Sequence, residues 1–73
     1  MIGYVIKTTT EVTAEMWSAC LCDESSARRS LDGSKVLLKF EGESTPSVFD
    51  GETVLNKKES RQAMQGAEWN HDN

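Results

Sequence analysis

The sequence predicts an α+β fold in which a small antiparallel sheet packs one face on two helices. Three patterns carry that expectation: period-two alternation over residues 2–8 and 34–40, apolar residues spaced by three and four between 11 and 22, and an Asn-to-Glu pair at 56 and 59 that opens a second helical stretch. At 73 residues the chain holds one hydrophobic core, so residues 1–69 are expected to form one domain. Residues 70–73, Asn-His-Asp-Asn, have no apolar side chain to order them and are expected to form a disordered tail.

The first strand is expected at 2–8, where Ile2, Tyr4 and Ile6 alternate with Gly3, Val5 and Lys7 in a segment rich in β-branched and aromatic types. The Ile2-Tyr4-Ile6 side is the more apolar and is expected to meet the core, which leaves Val5 and Lys7 on a partly wet face. Thr8 or Thr10 can then cap a helix near 11–22, with Glu11 and Glu15 where a helix N-terminus favours negative charge. Thr13, Met16, Trp17, Cys20 and Leu21 form its apolar stripe. A period-two reading would instead place Ala14, Met16, Ser18 and Cys20 on one strand face, but three of those four are poor strand residues, which favours helix.

Asp32-Gly33 suits a two-residue hairpin turn with positive φ at both positions, joining strands near 27–31 and 34–40. In the second arm Val36, Leu38 and Phe40 share a face, with Leu37 and Lys39 on the other. The first arm is short and polar, so an edge strand and a loop wrapped over the helix end both remain open. Gly42 and Pro46 mark 41–47 as a loop. Val48 and Phe49, a second Asp-Gly at 50 and 51, and Thr53 to Leu55 suggest a short hairpin or strand fragment within 47–55. Asn56 and Glu59 form a capping box for a helix near 57–65, whose apolar side carries Ser60, Ala63, Met64 and Ala67 and whose wet side carries Lys57, Lys58, Arg61, Gln62 and Gln65.

Eight Lys and Arg against twelve Asp and Glu give a net charge of −4, which repels phosphate backbones. The adjacent basic pairs, Arg28-Arg29 and Lys57-Lys58, are each flanked by acids, so no nucleic-acid partner is expected. No run approaches the roughly 20 apolar residues a membrane helix requires. The opening MIGYVIKTT is too short for a secretory core and has no basic leader, so neither membrane insertion nor export is expected. Cys20 and Cys22, one residue apart, close no useful disulfide loop and as reduced thiols suggest a cytoplasmic address.

Chemistry at a site meets plainer readings throughout. Cys20, Cys22, His71 and Asp72 are donors that zinc accepts, but they divide between a helix and a tail, and on a helix the two sulfurs diverge by about 200°. That leaves Cys20 as a small core residue and Cys22 as a surface thiol. A thiol-redox role is disfavoured by the one-residue spacing and by the negative end of the helix. The carboxylates fall on turns and wet faces, His71 is almost terminal, and Gly33, Gly42 and Gly51 are too dispersed to cradle a phosphate. No cofactor is expected, and catalysis is disfavoured.

What survives is a small cytoplasmic binding or regulatory protein that acts through a protein-protein surface, on a protein partner or on a second copy as a homodimer. Trp17, Arg28, Arg29, Phe49 and Trp69 are the candidate contact residues, because tryptophan and arginine dominate binding hot spots. The plainer reading, that both tryptophans are core plugs in a domain short of apolar volume, is the favoured one. The alternative is a metal- or thiol-dependent protein centred on Cys20 and Cys22, with His71.

Overall fold

Two seven-residue strands frame the molecule. In the computed structural model, which describes residues 1–63, β1 (Ile2–Thr8) lies antiparallel to β3 (Lys35–Glu41), and β2 (Arg28–Arg29) flanks β3 on its far side, giving the order β1-β3-β2. Helix α1 (Ala14–Ala19), a 3-10 turn (Ser47–Phe49) and helix α2 (Lys57–Ala63) complete the elements. The expected α+β architecture of a small antiparallel sheet with two helices is present. Residues 64–73, and with them Trp69, His71 and the end of the expected second helix, lie outside the described residues.

Register decides which face is interior. Gly3 pairs with Phe40, Val5 with Leu38 and Lys7 with Val36, so these six side-chain positions share one face. That face meets Met16 of α1, Ala27 and Phe49 in the core. The expectation that Ile2, Tyr4 and Ile6 would line the core is corrected: Val5 is 1% exposed, whereas Ile2 is 48% exposed. The physical reason is room for a ring. Phe40 stacks on Phe49 with centroids 5.6 Å apart, and a Cβ on Gly3 would come within 2.7 Å of Phe40 Cε2 and 2.8 Å of Val54 Cγ1. Only glycine lets the aromatic pair settle on β1.

Lys7 occupies the same face and is 9% exposed, yet its ammonium reaches Glu52 Oε2 at 2.7 Å and Glu11 Oε2 at 3.8 Å. The hydrogen bond to Glu52 raises the lysine above its ordinary value against the opposing effect of burial. The aliphatic stem covers the core edge while the charge clasps the segment after the 3-10 turn.

Several local expectations give way to tertiary contacts. Helix α1 is six residues long, not twelve; Thr13 caps it by accepting from the Met16 amide at 3.3 Å, and Cys20 is already extended at φ −96°. It stops because the Leu21 amide donates to Lys39 O at 2.9 Å, along the β3 edge that the short β2 leaves open. Thr8 and Glu11 form a preceding turn instead of a helical one, with the Glu11 amide on Thr8 O. The Asp32-Gly33 turn has positive φ at Gly33 (76°) alone, because Asp32 accepts from the Ser34 amide and the Ser30 and Ser34 hydroxyls. Those bonds, the Ser34 amide foremost, hold its carboxyl down at about 2. The strand fragment expected in 47–55 is a 3-10 turn followed by one bridge, in which Leu55 exchanges both backbone bonds with Tyr4.

The capping box at α2 forms as expected: the Glu59 amide donates to Asn56 Oδ1 at 2.8 Å and the Asn56 amide to Glu59 Oε1 at 2.9 Å. Ser60 faces inward and is 3% exposed, while Ala63, expected beside it, is exposed.

Two stability tests follow from these contacts. Gly3→Ala should destabilise the fold by about 1–3 kcal/mol, the range for overpacking a filled core, and lower the midpoint of urea unfolding. Asn56→Ala should cost about 1 kcal/mol by the same measurement, as for loss of a helix cap.

Candidate functional site

With Gly3, Val5 and Lys7 turned inward, the other face of the sheet presents Tyr4 beside Lys39, and Ile6 beside Leu37, which in turn pairs with Arg28 on β2. Helix α2 reaches this second face through the Tyr4–Leu55 bridge and its Asn56 cap. Both helices were expected on one face; α1 and α2 instead serve opposite faces. Between α2 and the sheet lies a cleft of about 290 Å³, walled by Tyr4, Leu37 and Lys39 from the sheet and by Lys57, Ser60 and Arg61 from the helix. Arg28 and Cys22 complete its described lining.

Four cationic side chains from three elements therefore converge on one recess, and among the described residues no Asp or Glu lines it. Lys39, Lys57 and Arg61 form no ion pair with any described carboxylate. Tyr4 and Leu37 provide an apolar floor, Leu37 being 4% exposed. The Ser60 hydroxyl donates to Lys57 O at 2.7 Å, which fixes the turn of helix that carries Lys57 and Arg61. Such a wall attracts anions and offers forked guanidinium donors alongside point-charge ammonium groups.

The residues singled out from sequence fall in different places. Arg28 and Arg29 separate to opposite faces of β2, as strand alternation requires. Arg28 enters the cleft, whereas the Arg29 guanidinium lies 6.0 Å from the Trp17 ring centroid and donates to Glu24 O at 2.8 Å. Trp17 is half-buried against the core. Phe49, expected on a binding surface, is in the core at 1% exposure, held by its stack on Phe40. Tyr4, Lys39, Lys57, Ser60 and Arg61 were absent from the sequence-level candidates. The four-residue interval from Lys57 to Arg61 was the one available signal, since it places two cations on one helix face.

Cys20 and Cys22 both lie beyond α1, not within it as expected, and both are unbridged and partly buried. Burial, with the neighbouring Cys22 as the lesser cause, pushes the Cys20 thiol up to about 11. Cys22 shares the cleft with Arg28, but an attacking thiol needs amides converging on the developing charge. In the turn that follows it, the Asp23 amide donates to Ser26 Oγ and the Ser26 amide to Asp23 Oδ1, so these two amides are engaged. Among the described residues no group of three or more His, Cys, Asp and Glu is placed to hold a metal ion; His71 lies outside them.

No family model matches the chain, and comparison with curated proteins and with solved structures finds no match. Among the described residues no helix is long and apolar enough to cross a membrane.

The raised Cys20 pKa has a measurable sign. Between the ordinary thiol value of 9.0 and about 11 the unfolded chain has released a proton that the folded chain retains, so stability falls as pH rises through that window. Urea midpoints should decline across it in the native sequence, and less in Cys20→Ala. Cys20 should also react with iodoacetamide at pH 8 at least about tenfold more slowly in the folded chain than in urea, because thiolate is the reacting form.

Proposed function

We propose that this chain is a small cytoplasmic binding protein, without catalytic activity of its own, that docks an acidic segment of a partner protein in the cleft between α2 and the outer face of the sheet. The observation that carries this reading is the charge distribution. Four cations line one recess of a chain whose net charge is −4, so the remainder carries a formal −8. Three of them, Lys39, Lys57 and Arg61, form no ion pair with a described carboxylate, and like charges gathered in this way repel one another. An anionic partner compensates them on binding, while the acidic remainder of the surface repels other polyanions.

Lys57 adds a local argument. It stands in the first turn of α2, where the helix dipole disfavours a positive charge by a few tenths of a kcal/mol. Among the described residues Lys57 forms no ion pair that offsets this, and departures from a local rule are expected at functional sites. Recognition through a cleft in a small rigid sheet also suits a chain too short to enclose a reaction chamber.

The test is a titration of the full chain with a hexaglutamate peptide, followed by amide NMR shifts. Shifts should concentrate at Tyr4, Leu37, Lys39 and α2, weaken with added salt, and lose about tenfold or more in affinity in the Lys57→Gln/Arg61→Gln variant, as expected when charge-assisted bonds are removed. Shifts concentrated instead around Trp17 and Arg29, or none at all, would overturn this assignment of the surface. Sedimentation of the free chain checks the homodimer alternative, which requires concentration-dependent association abolished by the same double substitution.

A further inference from the structure

We infer that Asp50 is a site of spontaneous backbone isomerisation, at which the chain passes through a cyclic imide to an isoaspartyl linkage, while the fold protects the same dipeptide at Asp32-Gly33. Neither step lines the cleft proposed above as a docking surface. The two copies of Asp-Gly stand in different hydrogen-bond environments, and that difference sets their chemistry apart.

The reaction needs an aspartyl carboxyl and the amide of the next residue. The Gly51 nitrogen attacks Cγ of Asp50 in its neutral acid form; the N–Cγ bond forms, the Cγ–OH bond breaks, and the hydroxyl leaves with the amide proton as water. Water then opens the five-membered imide. Cleavage of the new Cγ–N bond restores aspartate, whereas cleavage between the α-carbonyl carbon and the nitrogen leaves the chain running through Cβ and Cγ, one methylene longer. Composition is unchanged overall, and water is the only co-reactant. Glycine favours the step because no Cβ shields its amide. Ring closure turns the peptide plane about the aspartyl Cα–C bond, so a hydrogen bond held by that amide or by the carboxylate opposes it.

Both steps are exposed, so exposure does not separate them. Residues 49–52 form a type II turn, with Asp50 at φ −58° and ψ 131°, Gly51 at φ 86°, and the Glu52 amide closing on Phe49 O at 3.0 Å. The central peptide plane takes no part in that closing bond. Among the described residues nothing bonds to the Asp50 carboxylate, to its carbonyl oxygen or to the Gly51 amide. At the other step the Gly33 amide donates to Ser30 O at 2.9 Å, and Asp32 Oδ1 accepts from the Ser34 amide at 2.9 Å and from the Ser30 and Ser34 hydroxyls at 2.7 Å. Attack there must break the amide's bond and draw the carboxylate away from its donors. Those donors also hold the carboxyl down at about 2, which makes the reactive neutral acid scarcer than in the unfolded chain. Conversion at 50 falls on a span anchored at both ends, by Phe49 stacked on Phe40 and by Glu52 bonded to Lys7 at 2.7 Å. An added methylene does not fit the four-residue turn between these anchors, so isoaspartate at 50 loosens the Lys7–Glu52 clasp.

The experiment incubates the full chain in warm neutral buffer made with heavy-oxygen water, folded and in guanidinium chloride, and follows both steps by peptide mapping. Isoaspartyl and aspartyl peptides share a composition but separate by chromatography, and fragmentation assigns the linkage. In the folded chain isoaspartate should accumulate at 50 at least about tenfold faster than at 32, as expected where one site must break several hydrogen bonds and the other none. One heavy oxygen should enter for each imide opened. In guanidinium chloride the two rates should converge, since the dipeptides are the same. The isoaspartyl protein, once separated, should unfold at a lower urea midpoint than the aspartyl protein. Comparable rates in the folded chain, a faster rate at 32, or no isoaspartate at 50 would overturn the inference. The same ratio with and without denaturant would overturn the fold as its cause, isoaspartate without heavy oxygen would overturn the imide route, and an unchanged urea midpoint would overturn the loosened clasp.

Discussion

The close approach of Phe40 to the backbone of Gly3 is the constraint on which the rest of this structure depends. Phe40 and Phe49 stack as a pair at the centre of the core, and the pair fits against β1 only where a side chain is missing. Once Gly3 faces inward, alternation puts Val5 and Lys7 on the same side, and the more apolar Ile2, Tyr4 and Ile6 must turn outward. The interior thus contains a lysine stem while isoleucine and tyrosine lie outside. That exchange is tolerable because Lys7 keeps its charge at the rim against Glu52, and because the outer face is partly covered by α2.

The same constraint creates the cleft. Had Tyr4 and Ile6 packed inward, Lys39 and Arg28 would have met the core, and no face would remain to gather them with Lys57 and Arg61. Instead the sheet has two differently used sides. One is closed by α1, Ala27 and the 3-10 turn into a dry cluster; the other is partly covered and lined with positive charge. Stability and recognition therefore share the two seven-residue strands without sharing a face. A short chain uses both surfaces of its sheet because it lacks the material for a second layer devoted to binding.

Charge was legible in the sequence only as a total. Arg28-Arg29 and Lys57-Lys58 each look like basic pairs flanked by acids, and in each only the first residue enters the cleft. Strand alternation splits the first pair, sending Arg29 to Trp17, and helical rotation splits the second. Lys39 and Tyr4 are 35 positions apart and become neighbours only through the β1–β3 register. Phe49 illustrates the opposite error: a bulky aromatic beside an Asp-Gly turn has the look of an exposed contact, and its burial follows from a stack with a residue nine positions earlier.

The sequence by itself determined the local structure whose causes are local. Alternation specified β1 and β3, the Asn56–Glu59 box specified the start of α2, and the glycine after Asp32 specified a turn, since each depends on bonds or sterics within a few residues. Tertiary structure decided what depends on partners distant in the chain. It ended α1 at Ala19 by giving the Leu21 amide to β3, chose the buried face of β1 by the volume of a distant ring, and assembled four scattered cations around one recess. Periodicity states that a strand has two faces, but the choice between them is made by shape complementarity across the core, and a one-dimensional pattern does not carry shape.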